Sequence, residues 1–265
     1  LPRHQRKVRI MAIEAGETTY YQAKRGIVQD GLVLNLDAAV DGSFPLGNDA
    51  ENDEWIDLTG NCKAVFKNQP VFDSVAGGYL KLDGTDDYLE LEHNVNGLLR
   101  LANSSAAVSG FGNFTGADTN NYSVMAWIKS DDTSNTSYPA ILGRDAGDIY
   151  ASFGLRNGYL VFLHYNGSWI YITSTTLVSD GSWHHVAYVN HSDETGDLYV
   201  DGVAEVTGAS SSINLARYYK IDGIGRSYFA NYLQMDIASL QVYDIDLNSD
   251  QILRNYNATR HRFGV

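Results

Sequence analysis

Cysteine is almost absent. Cys62 stands alone among 265 residues, which excludes an intrachain disulfide framework and any cysteine-rich zinc site. Proline is scarce, four residues against 25 glycines, so turns fall mainly to glycine. No run approaches the roughly 20 apolar residues of a membrane-spanning helix. Leu1–Ile10 is basic and no apolar stretch follows it, so no secretion signal is read there. The G-x-S-x-G elbow, the P-loop and the dinucleotide fingerprint are also missing, which removes support for a serine hydrolase of that type and for nucleotide-phosphate chemistry. Long amphipathic helical patterns and fixed-period repeats are lacking as well.

What is present is a sequence 44% hydrophobic, able to bury a core and too apolar for a disordered chain. Its charge is segregated. Residues 1–25 carry Arg3, Arg6, Lys7, Arg9, Lys24 and Arg25 against Glu14 and Glu17, a net +4. Arg254, Arg260 and Arg262 make residues 254–265 +3, so the stretch between holds −20 of a chain total of −13. A body this acidic repels phosphate backbones, which argues against nucleic acid as a partner. The expected organisation is a basic N-terminal anchoring arm, residues 1–26, and one domain, residues 27–265. The six basic arm residues are the expected contacts to an acidic partner, and the basic C-terminus is a second candidate for the same surface.

The body reads as short strands separated by turns. Leu32–Leu36 opens it. Residues 41–62 read as acidic and irregular. Tyr79–Asp83 and Asp87–Glu92 alternate apolar and polar, the period of a strand with one wet face. Residues 93–121, rich in Ser, Asn and Gly, read as a long loop, and the apolar Tyr122–Lys129 suits the centre of a sandwich. Further strands are expected at Tyr150–Leu155, Tyr159–Tyr165, Trp169–Thr173, Trp183–Val189, Asp197–Val200, Val203–Val206 and Ile237–Tyr243. Asn157-Gly158, Asn166-Gly167 and Asp201-Gly202 supply the positive φ of tight hairpins. Asn248 with Gln251 caps one short helix near residues 249–257. About a dozen strands without αβ alternation predict an all-β sandwich or jelly roll.

Four runs, in order, carry a resemblance: Gly77-Gly78-Tyr79-Leu80-Lys81-Leu82-Asp83-Gly84-Thr85-Asp86-Asp87-Tyr88, then Tyr122–Lys129, then Asp180-Gly181-Ser182-Trp183-His184-His185-Val186-Ala187, then Leu198-Tyr199-Val200-Asp201-Gly202. Together they resemble the laminin-G-like, concanavalin-A-like domain family over roughly residues 30–257. The resemblance implies a jelly roll of two antiparallel sheets, in a family of lectins, glycosidases, adhesion modules and structural domains. A narrower likeness lies in Gly26–Ala38 and Trp55–Asn61, which look like laminin-G-like domains on virion proteins of tailed bacteriophages. That likeness implies capsid decoration or a tail or fibre part, with the basic arm as anchor on a capsid or tail shell protein.

Candidate chemistry is sparse. Glycosidases of this fold use paired carboxylates on one strand face. Glu90 and Glu92 share a face, but Leu91 stands where an acidic residue is needed, so they read as a solvated face. Asp83, Asp86 and Asp87 at the Gly84 turn are a candidate calcium cluster, in loops comparable to those of calcium-binding family members, against an Asx turn as the alternative. Asp49–Glu54 lacks the glycine and helices of an EF-hand. His184 and His185, adjacent on a strand, point to opposite faces and read as structural. Tyr165, Trp169 and Tyr171 flank Asn166-Gly167 as a candidate glycan platform, with Tyr218, Tyr219, Tyr228 and Tyr232 as further aromatics. The expectation is a non-enzymatic virion-surface protein docked by its arm, with self-association and a host glycan as further partners. The alternative is an extracellular, calcium-assisted lectin.

Overall fold

The computed structural model describes residues 26–44, 53–93, 99–100, 121–133, 140–143, 151–165, 167–211, 220–221, 223–227 and 231–265. The arm residues Arg3, Arg6, Lys7, Arg9, Lys24 and Arg25 lie outside them, as do Tyr218, Tyr219 and Tyr228. In chain order the first strands are β1 (Leu32–Asp37), β2 (Glu54–Ile56), β3 (Cys62–Lys67), β4 (Val71–Asp73), β5 (Tyr79–Asp83), β6 (Tyr88–His93) and β7 (Leu99–Arg100). Then come β8 (Tyr122–Lys129), β9 (Ala140–Gly143), β10 (Ala151–Arg156), β11 (Tyr159–Tyr165), β12 (Trp169–Leu177), β13 (Trp183–Asn190), β14 (Thr195–Val200) and β15 (Val203–Ser210). Four two-residue strands or fewer than that in reach follow as β16 (Lys220–Ile221), β17 (Gly223–Ile224), β18 (Arg226–Ser227) and β19 (Asn231–Tyr232), before β20 (Gln234–Tyr243) and the helix α1 (Ser249–Thr259).

Sixteen strands form two antiparallel sheets of eight. One runs β15-β14-β13-β8-β20-β5-β4, with β1 also on β20; the other runs β12-β11-β10-β9-β17-β6-β3-β2. The last strand, β20, is the centre of the first sheet. It pairs with β8 on one side and with both β1 and β5 on the other, Leu36 opposite Leu240 and Leu80 opposite Ile237. First and last strands are therefore neighbours, as expected.

Alternation explains why the central strand β8 is dry on both faces. Along β8, Val124, Ala126 and Ile128 enter the core between the sheets, while Met125 and Trp127 face outward beneath α1. A strand buried on both faces has to read as a continuous apolar run, as Tyr122–Lys129 does. The helix is closed at its start by the expected reciprocal bonds: the Gln251 amide donates to Asn248 Oδ1 (3.0 Å) and the Asn248 amide to Gln251 Oε1 (2.9 Å). Two hairpins form as read. Asn157 and Gly158 have φ of 53° and 82°, and Asp201 and Gly202 have φ of 52° and 78°, the left-handed pair that matches strand twist.

Some expectations are corrected. Residues 41–62 are not wholly irregular, because Glu54–Ile56 pairs with β3. Within the expected loop 93–121, Leu99–Arg100 pairs with Lys220–Ile221. Strands this short carry too few residues to show a period. β12 also runs four residues beyond the expected Thr173, to Leu177, because polar Ser174 stands at a buried position and apolar Leu177 at an exposed one, which hides the alternation.

Candidate functional site

The exposed corner of the second sheet is built by β11 and β12. Along β12, Ile172 and Ser174 are buried, while Trp169 and Tyr171 turn outward and are 38% and 37% exposed. Register sets Tyr165 opposite Trp169 and Leu163 opposite Tyr171. Ring centroids of Tyr165 and Trp169 are 5.0 Å apart, those of Trp169 and Tyr171 6.4 Å. The Arg156 guanidinium lies over the Tyr171 ring at 4.4 Å, a cation–π contact that orients both groups. The structure thus gathers the three expected aromatics into one ridge and adds Arg156. Arg156 stands on β10, with β11 between it and β12, so no local pattern marks it.

The rim of β12 is closed by Glu205 of β15. Its carboxylate accepts from the Thr175 amide (3.0 Å), the Thr176 amide (3.1 Å), the Thr176 hydroxyl (2.6 Å) and the Thr175 hydroxyl. Burial pushes the Glu205 carboxyl up, but these bonds prevail and hold it below its ordinary value. The arrangement covers edge amides that would otherwise invite strand addition.

The Asp83, Asp86, Asp87 cluster brings three carboxylates within 4.8 Å of one another. Three of its six oxygens, Asp83 Oδ1 and both of Asp87, accept backbone amides. Asp83 Oδ1 accepts from the amides of Thr85 (2.7 Å), Asp86 (3.3 Å) and Asp87 (3.4 Å). Asp87, buried, accepts from Gln69 (3.0 Å) and Asp83 (3.3 Å). Those bonds hold the Asp83 carboxyl below its usual range, the Thr85 amide first. This is an Asx turn tying β5 to β6. Calcium wants six to eight oxygens; the three carboxylates gather at one point, and an ion there would compete with the amides that already bond Asp83 and Asp87.

Glu90 and Glu92 are half exposed and each faces a lysine, Lys67 at 3.0 Å and Lys63 at 3.8 Å. Neither sits in the apolar pocket that a general acid needs. His184 and His185 do point to opposite faces. His184 lies between Asp201 Oδ2 (2.8 Å) and Asp180 Oδ1 (3.2 Å), and the Asp201 bond above all raises its pKa. His185, buried against Trp127 and Tyr256, is pushed down to about 4 by burial. A second such clamp went unread: His191 is held by Asp246 (3.1 Å) and Asp197 (3.2 Å).

The C-terminal arginines are not a free basic surface. Arg262 bonds Asp37 at 2.8 Å and the carbonyls of Ala76 and Gly78. Arg254 donates to the carbonyls of Gly26 and Ile27, and Arg260 lies over the Tyr256 ring. The expected second docking patch is therefore corrected: Arg254 and Arg262 bind the chain's own backbone.

Comparison with known proteins agrees with this architecture. A model of the concanavalin A-like lectin/glucanases superfamily matches residues 83–253. No curated protein matches. Among solved structures, the binding domain of paraclostridial mosquitocidal protein 1 superposes with a TM-score of 0.60 at 14% identity, over 86% of this chain and 52% of that one. Domain 4 of AbnA, a GH43 extracellular arabinanase from Geobacillus stearothermophilus, in complex with arabinotriose, gives 0.60 at 15%, over 86% and 100%. The receptor binding domain of botulinum neurotoxin D gives 0.60 at 15%, over 86% and 52%. The chain thus spans about half the length of the two toxin binding domains, and likeness at such identities speaks to the fold. On the match over residues 83–253, this chain belongs to the concanavalin A-like lectin/glucanase superfamily.

Proposed function

We propose that the protein is a non-enzymatic recognition module on a virion surface, moored by residues 1–26 to a capsid or tail shell protein and facing outward with its sandwich. The observation that carries the recognition role is the Tyr165, Trp169, Tyr171 ridge with Arg156 against it, exposed at a sheet corner. Aromatic faces take the C–H surface of a pyranose and the guanidinium takes hydroxyls, so a host glycan is its ligand. Binding domains of similar fold, one of them held with arabinotriose, support the class of activity. The mooring rests on the basic leader, the acidic body and the phage-like motifs; many copies on one particle multiply weak contacts.

Two experiments test the two halves. Trp169→Ala with Tyr171→Ala should remove binding of those array glycans that shift the amides of Trp169 and Tyr171 in the parent full chain, whereas retained binding of those glycans would defeat the ridge. Deleting residues 1–25 should abolish incorporation into particles while the domain stays folded; undiminished incorporation would refute the mooring. Binding lost on chelation, with Asp86→Ala behaving likewise, would instead favour the calcium-assisted extracellular lectin.

A further inference from the structure

We infer that a second ligand site, for a neutral polyhydroxyl compound such as an oligosaccharide, lies at the opposite sheet, in a cleft of about 540 Å³ where β4, β5, β8 and β20 meet the turn before β13. The size is that of a small-molecule site. Register builds one wall as a single cross-strand row on the outer face: Val71 beside Lys81, Lys81 beside Asp236, Asp236 beside Lys129. The row is preset. Lys129 bonds Asp236 at 2.8 Å and lies 5.6 Å from both the Tyr79 and Trp183 rings. Lys81 bonds Asp73 at 2.8 Å and lies 5.5 Å from the Tyr79 ring. The loops below are tied down as well, since Ser130 Oγ donates to the Gln234 carbonyl (2.7 Å) and the Gly181 amide donates to the Ser130 carbonyl (2.9 Å).

The charge pattern selects the ligand. Two lysines line the cleft with four carboxylates, Asp83, Asp87, Asp131 and Asp236, so an anion is repelled. Both lysines already have carboxylate partners, Asp236 and Asp73, so an anion would also have to break an ion pair. A hydroxyl breaks none. It accepts from a spare ammonium proton and donates to a spare carboxylate lone pair, while Val71, 57% exposed, meets its C–H face.

This site does not rest on the aromatic ridge, and the test separates them. The full chain carrying Trp169→Ala and Tyr171→Ala, which lacks the ridge, is screened on an array of neutral oligosaccharides, and the strongest hit, with arabinotriose beside it, is titrated by amide NMR. The backbone amides of Gly181 and Gln234 should shift, and Lys129→Met and Asp131→Asn, each added to that background, should weaken the binding at least tenfold. Asp131→Asn, on an exposed loop, keeps the test alive if Lys129→Met does not fold. The proposal is overturned if no neutral saccharide moves those amides in the ridge-free chain, or if glucosamine alone moves them.

Discussion

Two regions of the molecule combine aromatic rings with basic side chains and put them to opposite uses. On the outer face of the first sheet, Trp127 stacks against Phe263 at 4.3 Å and Tyr256 at 5.7 Å, and its indole N–H donates to Thr259 Oγ1 at 2.7 Å. Arg262 beside it is 11% exposed and bonded to Asp37. At the β11–β12 corner, Trp169 and Tyr171 remain more than a third exposed, with Arg156 lying on the latter. Residue type does not tell these regions apart. What tells them apart is whether α1 and the turn after it lie on top: covered, the cluster is cohesive; exposed, it is available to a ligand.

The largest effect should come from the covered side. Trp127→Ala removes a buried ring from the cluster under α1 and should cost about 3–5 kcal/mol, read as a fall in Tm of roughly 10 °C. A smaller loss would mean that the helix is not anchored there. Arg262→Met should come next, at the low end of the roughly 3–5 kcal/mol for breaking a buried ion pair, because Asp37 and two carbonyls lose their donor. A near-neutral Arg262→Met would restore the C-terminal arginines as a free surface.

The histidine clamps give a smaller, pH-dependent effect. His184 and His191 have raised pKa values in the fold; for His191 burial lowers the value, but Asp246 and Asp197 outweigh it. Their stabilisation is fully present below the unfolded value near 6.5 and lost as pH rises through the folded values. His185 acts oppositely: depressed to about 4, it stabilises above about 6.5, and that contribution fades as pH falls toward 4. Tm should therefore peak near pH 6. The double variant His184→Gln, His191→Gln should flatten the alkaline limb, and His185→Phe should soften the acid one. A Tm profile unchanged by the double variant would show that the clamps are energetically idle.

Much of the covered region was legible in the sequence. The apolar run of Tyr122–Lys129 announces a strand dry on both faces, and Asn248 with Gln251 announces the helix that covers it. The site was only half legible. Tyr165, Trp169 and Tyr171 were visible as a cluster because one hairpin carries them. Arg156 comes from the hairpin before, Asp246 meets His191 across 55 residues, and Lys81, Asp236 and Lys129 form a row only once β5, β20 and β8 are in register. Such contacts depend on strand order, which local pattern does not encode. Glu205, likewise, looks like any exposed glutamate until β15 is laid beside β12.

At the exposed corner the expected effect on stability is the smallest and the effect on function the greatest. Replacing both Trp169 and Tyr171 by alanine should leave Tm within about 2 °C of the parent, since the side chains are solvent-facing. The deciding measurement is the affinity of that double variant, beside the parent chain, for a glycan that shifts the Trp169 and Tyr171 amides of the parent, with Tm recorded on the same samples. The account predicts at least a thirtyfold loss of affinity, the scale of a binding hot spot, at unchanged Tm; undiminished affinity in a folded variant would contradict it.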